Sequence, residues 1–412
     1  MKKKFSIAAL LMSLSVMLTG CSSTLRLSNH TQNLMKGIAI KAPEAVELTP
    51  EWKLCMRLFT VHLLQQMASD ENVMISPLSV MTALAMVSVG AENKTAVQME
   101  QMFGMELETL HPMLSTWLNA LPNGAKTKVN LANSIWFRQG DSAIREAFLT
   151  ENAKTYHASI YRAAFDASTV SDINHWVKHE TNDMIPKILD GLSADIRLIL
   201  INAIAFDGKW VDAFHSNETF DAPFTQSDGT IRQVSMMHGE APVYLESDDA
   251  VGFRKPYCDG YSFVAVLPNA EQSIAEFIAG WTGERLTEWM DQAQYTTVHI
   301  GLPKFKSEYE IRLNHALQAM GMTDAFTDQA DFSGICDDSI CIDDVLHKTY
   351  IDVDENGTKA AAVTAVTMKT CALEPTESKT VILDRPFVYM IVEDTTNIPL
   401  FIGTVTSFDV HT

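Results

Sequence analysis

Residues Asp352 to Lys379 read DVDENGTKAAAVTAVTMKTCALEPTESK. The stretch opens like a calcium loop, with Asp352, Asp354, Asn356 and Gly357 at D-x-D-x-N-G spacing. The twelfth loop position, where a bidentate glutamate is required, holds Val363. Thr364, Val366 and Thr367 then supply β-branched residues where a helix should follow. Calcium is therefore rejected. Taken at period two, one face carries Thr358, Ala360, Ala362, Thr364, Val366 and Met368. The other carries Lys359, Ala361, Val363, Ala365, Thr367 and Lys369. The first face is uncharged and begins with small residues, so it could enter a sheet. Yet Asn356-Gly357 precedes it and Glu374-Pro375-Thr376-Glu377-Ser378 follows, both loop signals. It is either a permanently paired strand followed by a loop, or a strand held in reserve.

The 412 residues around this stretch have a globular composition, 47% hydrophobic and 20% charged. At the N-terminus Lys2, Lys3 and Lys4 precede an apolar run from Phe5 to Leu18 that is too short to span a bilayer. Residues 1–20 are predicted to be a signal peptide. Leu18-Thr19-Gly20-Cys21 resembles a bacterial lipobox, which makes Cys21 the expected lipidation site and residues 21–47 a lipidated tether. The expected location is the bacterial cell envelope, at the outer membrane on its periplasmic or surface face. The formal charge is −20; without residues 1–20 the chain keeps 28 basic and 51 acidic residues, or −23. Such a surface repels phosphate backbones and sulfated polysaccharides, so neither nucleic acid nor a heparin-type activator is expected. Five cysteines remain after Cys21: Cys55, Cys258, Cys336, Cys341 and Cys371. They do not form a disulfide framework, although a Cys336–Cys341 pair stays open in an exported compartment. Their C-x4-C spacing argues against zinc.

Hydrophobic periodicity predicts helices over Leu48–Met67, from Ser76-Pro77 to Val89, over Asp172–Leu189 and over Ile311–Met320. Strands are predicted at Val129–Phe137, Arg197–Phe206, Val234–Met237, Gly252–Lys255, Tyr261–Leu267, Val298–Leu302, Val345–Val353, Phe387–Glu393 and Leu400–Val405. Helices dominate the first half and strands the second, which implies an α+β fold with large mixed sheets in one domain, residues 48–412. No G-x-S-x-G, H-E-x-x-H, G-x-G-x-x-G or Walker A motif occurs. Neither metal nor cofactor is expected, and catalytic residues are not.

The ordered motifs resemble the serpins, the large serine-protease inhibitors. Asn72-Val73-Met74-Ile75-Ser76-Pro77-Leu78-Ser79, Leu131-Ala132-Asn133-Ser134-Ile135-Trp136-Phe137 and Ile201-Asn202 through Phe206-Asp207-Gly208-Lys209-Trp210 match family segments. Leu302-Pro303-Lys304-Phe305, Ala330 to Ile335, His347-Lys348, Asp384-Arg385-Pro386-Phe387 and Leu400 to Val405 follow in family order. The resemblance implies a serpin fold: three β-sheets, about eight or nine helices and an exposed reactive-centre loop. Asp354-Glu355-Asn356-Gly357-Thr358-Lys359-Ala360-Ala361-Ala362 then resembles the family hinge, which answers the question left by the stretch: the strand is held in reserve.

The resemblance implies that a protease attacks the loop, forms an acyl-enzyme, and is trapped as the loop inserts into the main sheet. It implies hinge roles for Glu355, Gly357, Thr358, Ala360, Ala361 and Ala362. Lys304 should pair with Glu355 near Trp210, and Ser76, Ser79, Asn202 and His347 should form a polar shutter, which could equally be purely structural. The family count places the cleaved bond after Cys371; Lys369–Thr370 is favoured as trypsin-like bait, with Met368, Thr370 and Ala372 among the other candidates. Elastase-like and papain-like targets stay open. A monomer is expected. Two other classes compete: a non-inhibitory serpin-fold binding module whose loop is only a substrate, and a surface hydrolase, which the missing motifs disfavour.

Overall fold

A computed structural model of the chain describes residues 25, 27–39, 43–140, 143–193, 195–270, 272–358 and 378–408. Helices are α1 (Pro50–Met67), α2 (Pro77–Ser88), α3 (Asn93–Phe103), α4 (Leu107–Ala120), α5 (Glu146–Tyr156), α6 (Ala167–Glu180), α7 (Ile274–Ala279), α8 (Gly283–Asp291) and α9 (Asn314–Ala319). The first eight strands are β1 (Gln32–Asn33), β2 (Val73–Ile75), β3 (Thr127–Arg138), β4 (Ser159–Ala163), β5 (Leu198–Lys209), β6 (Thr219–Thr225), β7 (Ile231–Glu246) and β8 (Ala250–Tyr257). The others are β9 (Tyr261–Pro268), β10 (Gln294–Pro303), β11 (Phe305–Arg312), β12 (Asp344–Asp354), β13 (Gly357–Thr358), β14 (Lys379–Ile382), β15 (Phe387–Glu393) and β16 (Ile398–Val405).

Among the described residues these strands make two hydrogen-bonded sheets. The first has seven strands in the order β1-β4-β3-β5-β13-β12-β11. The second follows the path β14-β10-β7-β8-β9-β15-β16-β2, with β6 beside β7. Three sheets are what the family resemblance implies. Here the second and third form one path because β7, 16 residues long, pairs with β6 and β10 first and with β8 at its far end.

The seven-stranded sheet is buried on both faces. Leu198, Leu200, Ile204 and Phe206 of β5 point into the large core shared with the second sheet. Ile199, Ile201 and Ala203 point the other way, under α6, with Trp136, Tyr161, Ile173, Trp176 and Val177. This two-sided burial explains why residues 198–206 read as a continuous apolar run. Helix α2 is buried on every side beneath the sheet; Ser76 caps it by accepting from the Ser79 N–H at 3.1 Å, and Pro77 fills its first turn.

Two predicted helices are shorter than their patterns. Helix α6 stops at Glu180, not Leu189, because Asn182 and Asp183 take positive φ values of 50° and 64° and Pro186 follows. Ile185 is still core, but from a coil. Ile311 belongs to strand β11: alternation of Phe305, Ser307, Tyr309 and Ile311 with Lys306, Glu308, Glu310 and Arg312 has a period of two, and the helix begins only at Asn314.

The stretch expected to be a loose tether is partly docked. Gln32 and Asn33 pair with Arg162 and Tyr161 at the sheet edge. Asp172 of α6 accepts from the Ser28 N–H at 2.9 Å and from the Ser28 and Thr31 hydroxyls at 2.6 Å each. Leu27 packs on the α6 core. Polar composition hid a segment held by strand pairing and by the buried carboxylate of Asp172. No helix of the described residues is long and apolar enough to cross a membrane.

Candidate functional site: the hinge and the slot between strands β5 and β12

Strand β12 runs parallel to β5 and pairs with it directly from Asp344↔Ile199 to Tyr350↔Ala205. Above Tyr350 the two strands diverge and admit β13. Gly357 and Thr358 pair antiparallel with Lys209 and Gly208 on one side and with Asp354 and Val353 on the other. A slot in the sheet is thus wedged open at one end and closed below.

Local chemistry fixes the wedge. The Asp354 carboxylate accepts from the backbone N–H of Asn356 at 2.7 Å and of Gly357 at 3.1 Å, an Asx turn reversing the chain. This is the work of the residues that mimic a calcium loop; no cluster able to hold a metal ion occurs among the described residues. Burial of Asp354 pushes its carboxyl above the usual range, partly offset by those two donors. Gly357 has φ 153°, and a Cβ there would lie 2.0 Å from the Gly208 carbonyl oxygen, so the position needs glycine. Thr358 is fully buried and its hydroxyl meets the Tyr257 hydroxyl at 2.6 Å.

Three backbone carbonyls of the turn are held from one side. Trp210 donates its indole N–H to Asp354 O at 2.9 Å and its backbone N–H to Asn356 O at 3.1 Å; the Phe214 N–H donates to Glu355 O at 2.9 Å. Trp210 stacks on Tyr257 with centroids 4.0 Å apart. Behind them Lys255 donates to Glu240 O at 3.0 Å, with its ammonium 4.4 Å from the Phe214 ring centroid and 5.8 Å from that of Trp210. Burial draws the Lys255 amine down to about 8, against the opposing pull of Asp212 and Glu240. Lys304 lies 2.9 Å from Glu355. Partial burial tends to raise the Glu355 carboxyl, but the Lys304 hydrogen bond and charge outweigh it and hold it below the usual range.

Below the wedge, side chains close the slot. His347 on β12 and Asn202 on β5 lie opposite one another, with Nδ1 2.5 Å from Asn202 Oδ1. The Ser76 backbone N–H donates to His347 Nε2 at 2.9 Å, so Nε2 is unprotonated and the proton sits on Nδ1. Burial depresses this imidazole to about 3, which matches the neutral form the geometry requires. The Ser79 hydroxyl lies 2.8 Å from Asn202 Oδ1 and 3.0 Å from Asn133 Oδ1, serving one at a time. Asn202 Nδ2 is buried without a partner among the described residues.

The structure therefore brings Lys304, Trp210, Glu355, Gly357 and Thr358 together at one end of the slot and Ser76, Ser79, Asn202 and His347 together lower down. Ala360, Ala361, Ala362, Met368, Lys369, Thr370, Cys371, Ala372 and Cys21 lie outside the described residues. Cys336 and Cys341 are unpaired in the structure. Tyr257, Lys255, Phe214 and Asn133 went unread. Lys255 and Tyr257 are two apart at the end of a recognised strand, and nothing in the sequence links them to Trp210.

Residues 53–408 match the family model described as Serpin (serine protease inhibitor). A serpin-like protein of Thermococcus kodakarensis is 33% identical over 359 residues, covering 84% of this chain and 83% of that one. Human leukocyte elastase inhibitor is 33% identical over 356 residues, 82% of this chain and 93% of its own. The crystal structure of a thermophilic serpin, tengpin, in the native state superposes with a TM-score of 0.88 at 42% identity, covering 92% of this chain and all of that one.

Proposed function

The chain belongs to the serpin family, and from that premise we propose that it is a suicide-type protease inhibitor rather than an enzyme. A target serine or cysteine protease attacks a carbonyl in the loop after Thr358. The peptide bond breaks, the C-terminal side leaves as a free amine with the proton from the protease's general base, and an ester or thioester holds the other side. The severed segment then zips down the slot before water can release the protease.

The observation that carries this reading is the β13 wedge. Its register, continued downward, puts Ala360 between Phe206 and Ile351, Ala362 between Ile204 and Thr349, and Thr364 between Asn202 and His347. These positions face the core between the sheets, where a small side chain enters without strain and a charged one would be heavily penalised. Lys359 falls on the opposite face, between Asp207 and Asp352. Thr364 arrives where the His347–Asn202 bond must break, and it offers a hydroxyl to the orphaned Asn202 Nδ2.

The energetics favour completion. Seven parallel residue pairs between β5 and β12 are lost. Two antiparallel ladders replace that one, a net gain of roughly seven hydrogen bonds at ~1 kcal/mol each. That is on the order of a whole domain's stability. Lys369–Thr370 is the favoured bait for a trypsin-like protease, and the family count to Cys371 is the alternative. Lipidation at Cys21 would hold the inhibitor at a bacterial envelope membrane.

The test mixes the purified full chain with trypsin, an elastase and a papain-like protease. A complex surviving SDS supports trapping, and the mass of the released C-terminal peptide locates the bond. Cleavage without a complex by all three speaks for a loop that is only a substrate.

A further inference from the structure

We propose that a cavity at the foot of the seven-stranded sheet, remote from the hinge, is a binding site for a small multivalent oxyanion of the phosphate or polycarboxylate class. The cavity has a volume of about 410 Å³, and Arg138, Arg162, Arg197, Gln139, Ser339 and Asp338 contribute its polar lining. Arg138 ends β3, Arg162 is on β4, and Arg197 precedes β5. Among the described lining residues, three guanidinium groups against one carboxylate is a local reversal in a chain of net charge −20.

Neither Arg138 nor Arg197 is there to satisfy an acid. Among the described residues neither Arg138 nor Arg197 has a carboxylate at ion-pair distance, whereas nearby Arg145 pairs with Asp337 at 2.6 Å. Asp343 is engaged by the backbone N–H groups of Arg197 and Leu198, at 2.7 and 2.9 Å. Arg138 is oriented beforehand: its Nε donates to Ile196 O at 2.6 Å, its Nη2 to Ser193 O at 3.3 Å, and its guanidinium carbon lies 5.1 Å from the Phe165 ring centroid. Those contacts fix direction and leave the charge uncompensated. Arg138 and Arg162 are half-buried, so charge-assisted bonds to an oxyanion form in a medium less screening than water. The planar fork suits phosphate or carboxylate oxygens. The volume admits a small dianion with a few waters and excludes a polymer, consistent with the acidic surface that repels nucleic acid and sulfated chains.

Calorimetric titration of the full chain with sodium sulfate, phosphate and citrate, each against sodium chloride at matched ionic strength, tests this. At least one should bind saturably with one site per chain and a Kd of about 1 mM or tighter. Arg197→Gln, at an exposed position, should weaken it about tenfold or more. Ser339→Asp should abolish it by placing a second carboxylate in the cavity while leaving every arginine intact. Lys128→Gln, at the other end of β3, should change nothing. Heats no different from chloride would overturn the proposal, as would binding unchanged in both Arg197→Gln and Ser339→Asp.

Discussion

The two ends of the β5–β12 slot are closed by different chemistry. At the hinge, the turn is held through its backbone carbonyls by Trp210 and Phe214, and one ion pair, Lys304–Glu355, remains partly in water. At the shutter, side chains hydrogen-bond directly across the slot, with His347, Asn202, Ser76 and Ser79 fully buried. The carbonyl clamps hold the backbone of the turn, and side-chain demands at this end fall on Gly357, which needs glycine, and on the buried Thr358. The lower lock depends on specific side chains, and in the proposed mechanism a segment entering it would have to restore their hydrogen bonds. On the proposed mechanism the slot would fill from its mouth at the top, where β13 already separates the strands, toward its floor at the shutter.

The comparison breaks most severely at Thr358. Thr358→Arg would place an unpaired guanidinium among the apolar side chains between the sheets, a cost of about 3–5 kcal/mol. The SDS-resistant complex should disappear while loop cleavage continues, and unchanged trapping stoichiometry would show that the face has been misread. At the floor, Asn202→Ala removes the acceptor for both the His347 and Ser79 donors. The expected loss is about 2–4 kcal/mol in denaturant unfolding, the usual cost of breaking a buried polar network.

The floor should also be the acid-sensitive end. His347 titrates at about 3 when folded against an ordinary 6.5, so between those values the unfolded chain binds a proton that the native chain does not. Stability is complete above about 6.5 and falls as pH drops through that window, by about tenfold in the unfolding constant per pH unit. Buried His111, depressed to about 4, adds a second proton. Unfolding measured from pH 7 to 5 in His347→Gln should show a slope about half that of the parent, one proton instead of two. An unaltered slope would remove His347 from the account. The smallest effect belongs to the mouth: Lys304→Ala should cost about 0.5–1 kcal/mol, since that pair is partly solvated. A loss larger than that of Asn202→Ala would invert the comparison.

Much of this architecture was legible. Strands β3, β5, β12, β15 and β16 and helices α1 and α2 carry long apolar patterns and clear caps, and their cores are where the patterns place them. Helices α3, α4 and α5 were missed. All three lack a side-chain cap bond, and Pro112 sits inside α4. The slot itself was not readable from spacing. Gly357 and Thr358 lie more than a hundred residues from Gly208 and Tyr257, and only the resemblance to a family joined hinge to sheet. Asp354 resembles a calcium ligand for a physical reason, because an Asx turn and a calcium loop use the same carboxylate acceptor. The docked N-terminal segment escaped because its anchor, Asp172, reads as one more helix-surface acid.

The most direct test of the filling slot is thermal unfolding of the full chain before and after the loop is cut by a protease it does not trap. Insertion worth roughly seven hydrogen bonds should raise Tm by about 10 °C or more. The same cut in Thr358→Arg should leave Tm where it was. A cleaved parent chain that unfolds at the same temperature as the intact one would contradict the account, because the slot would then have remained closed with the strand free to enter.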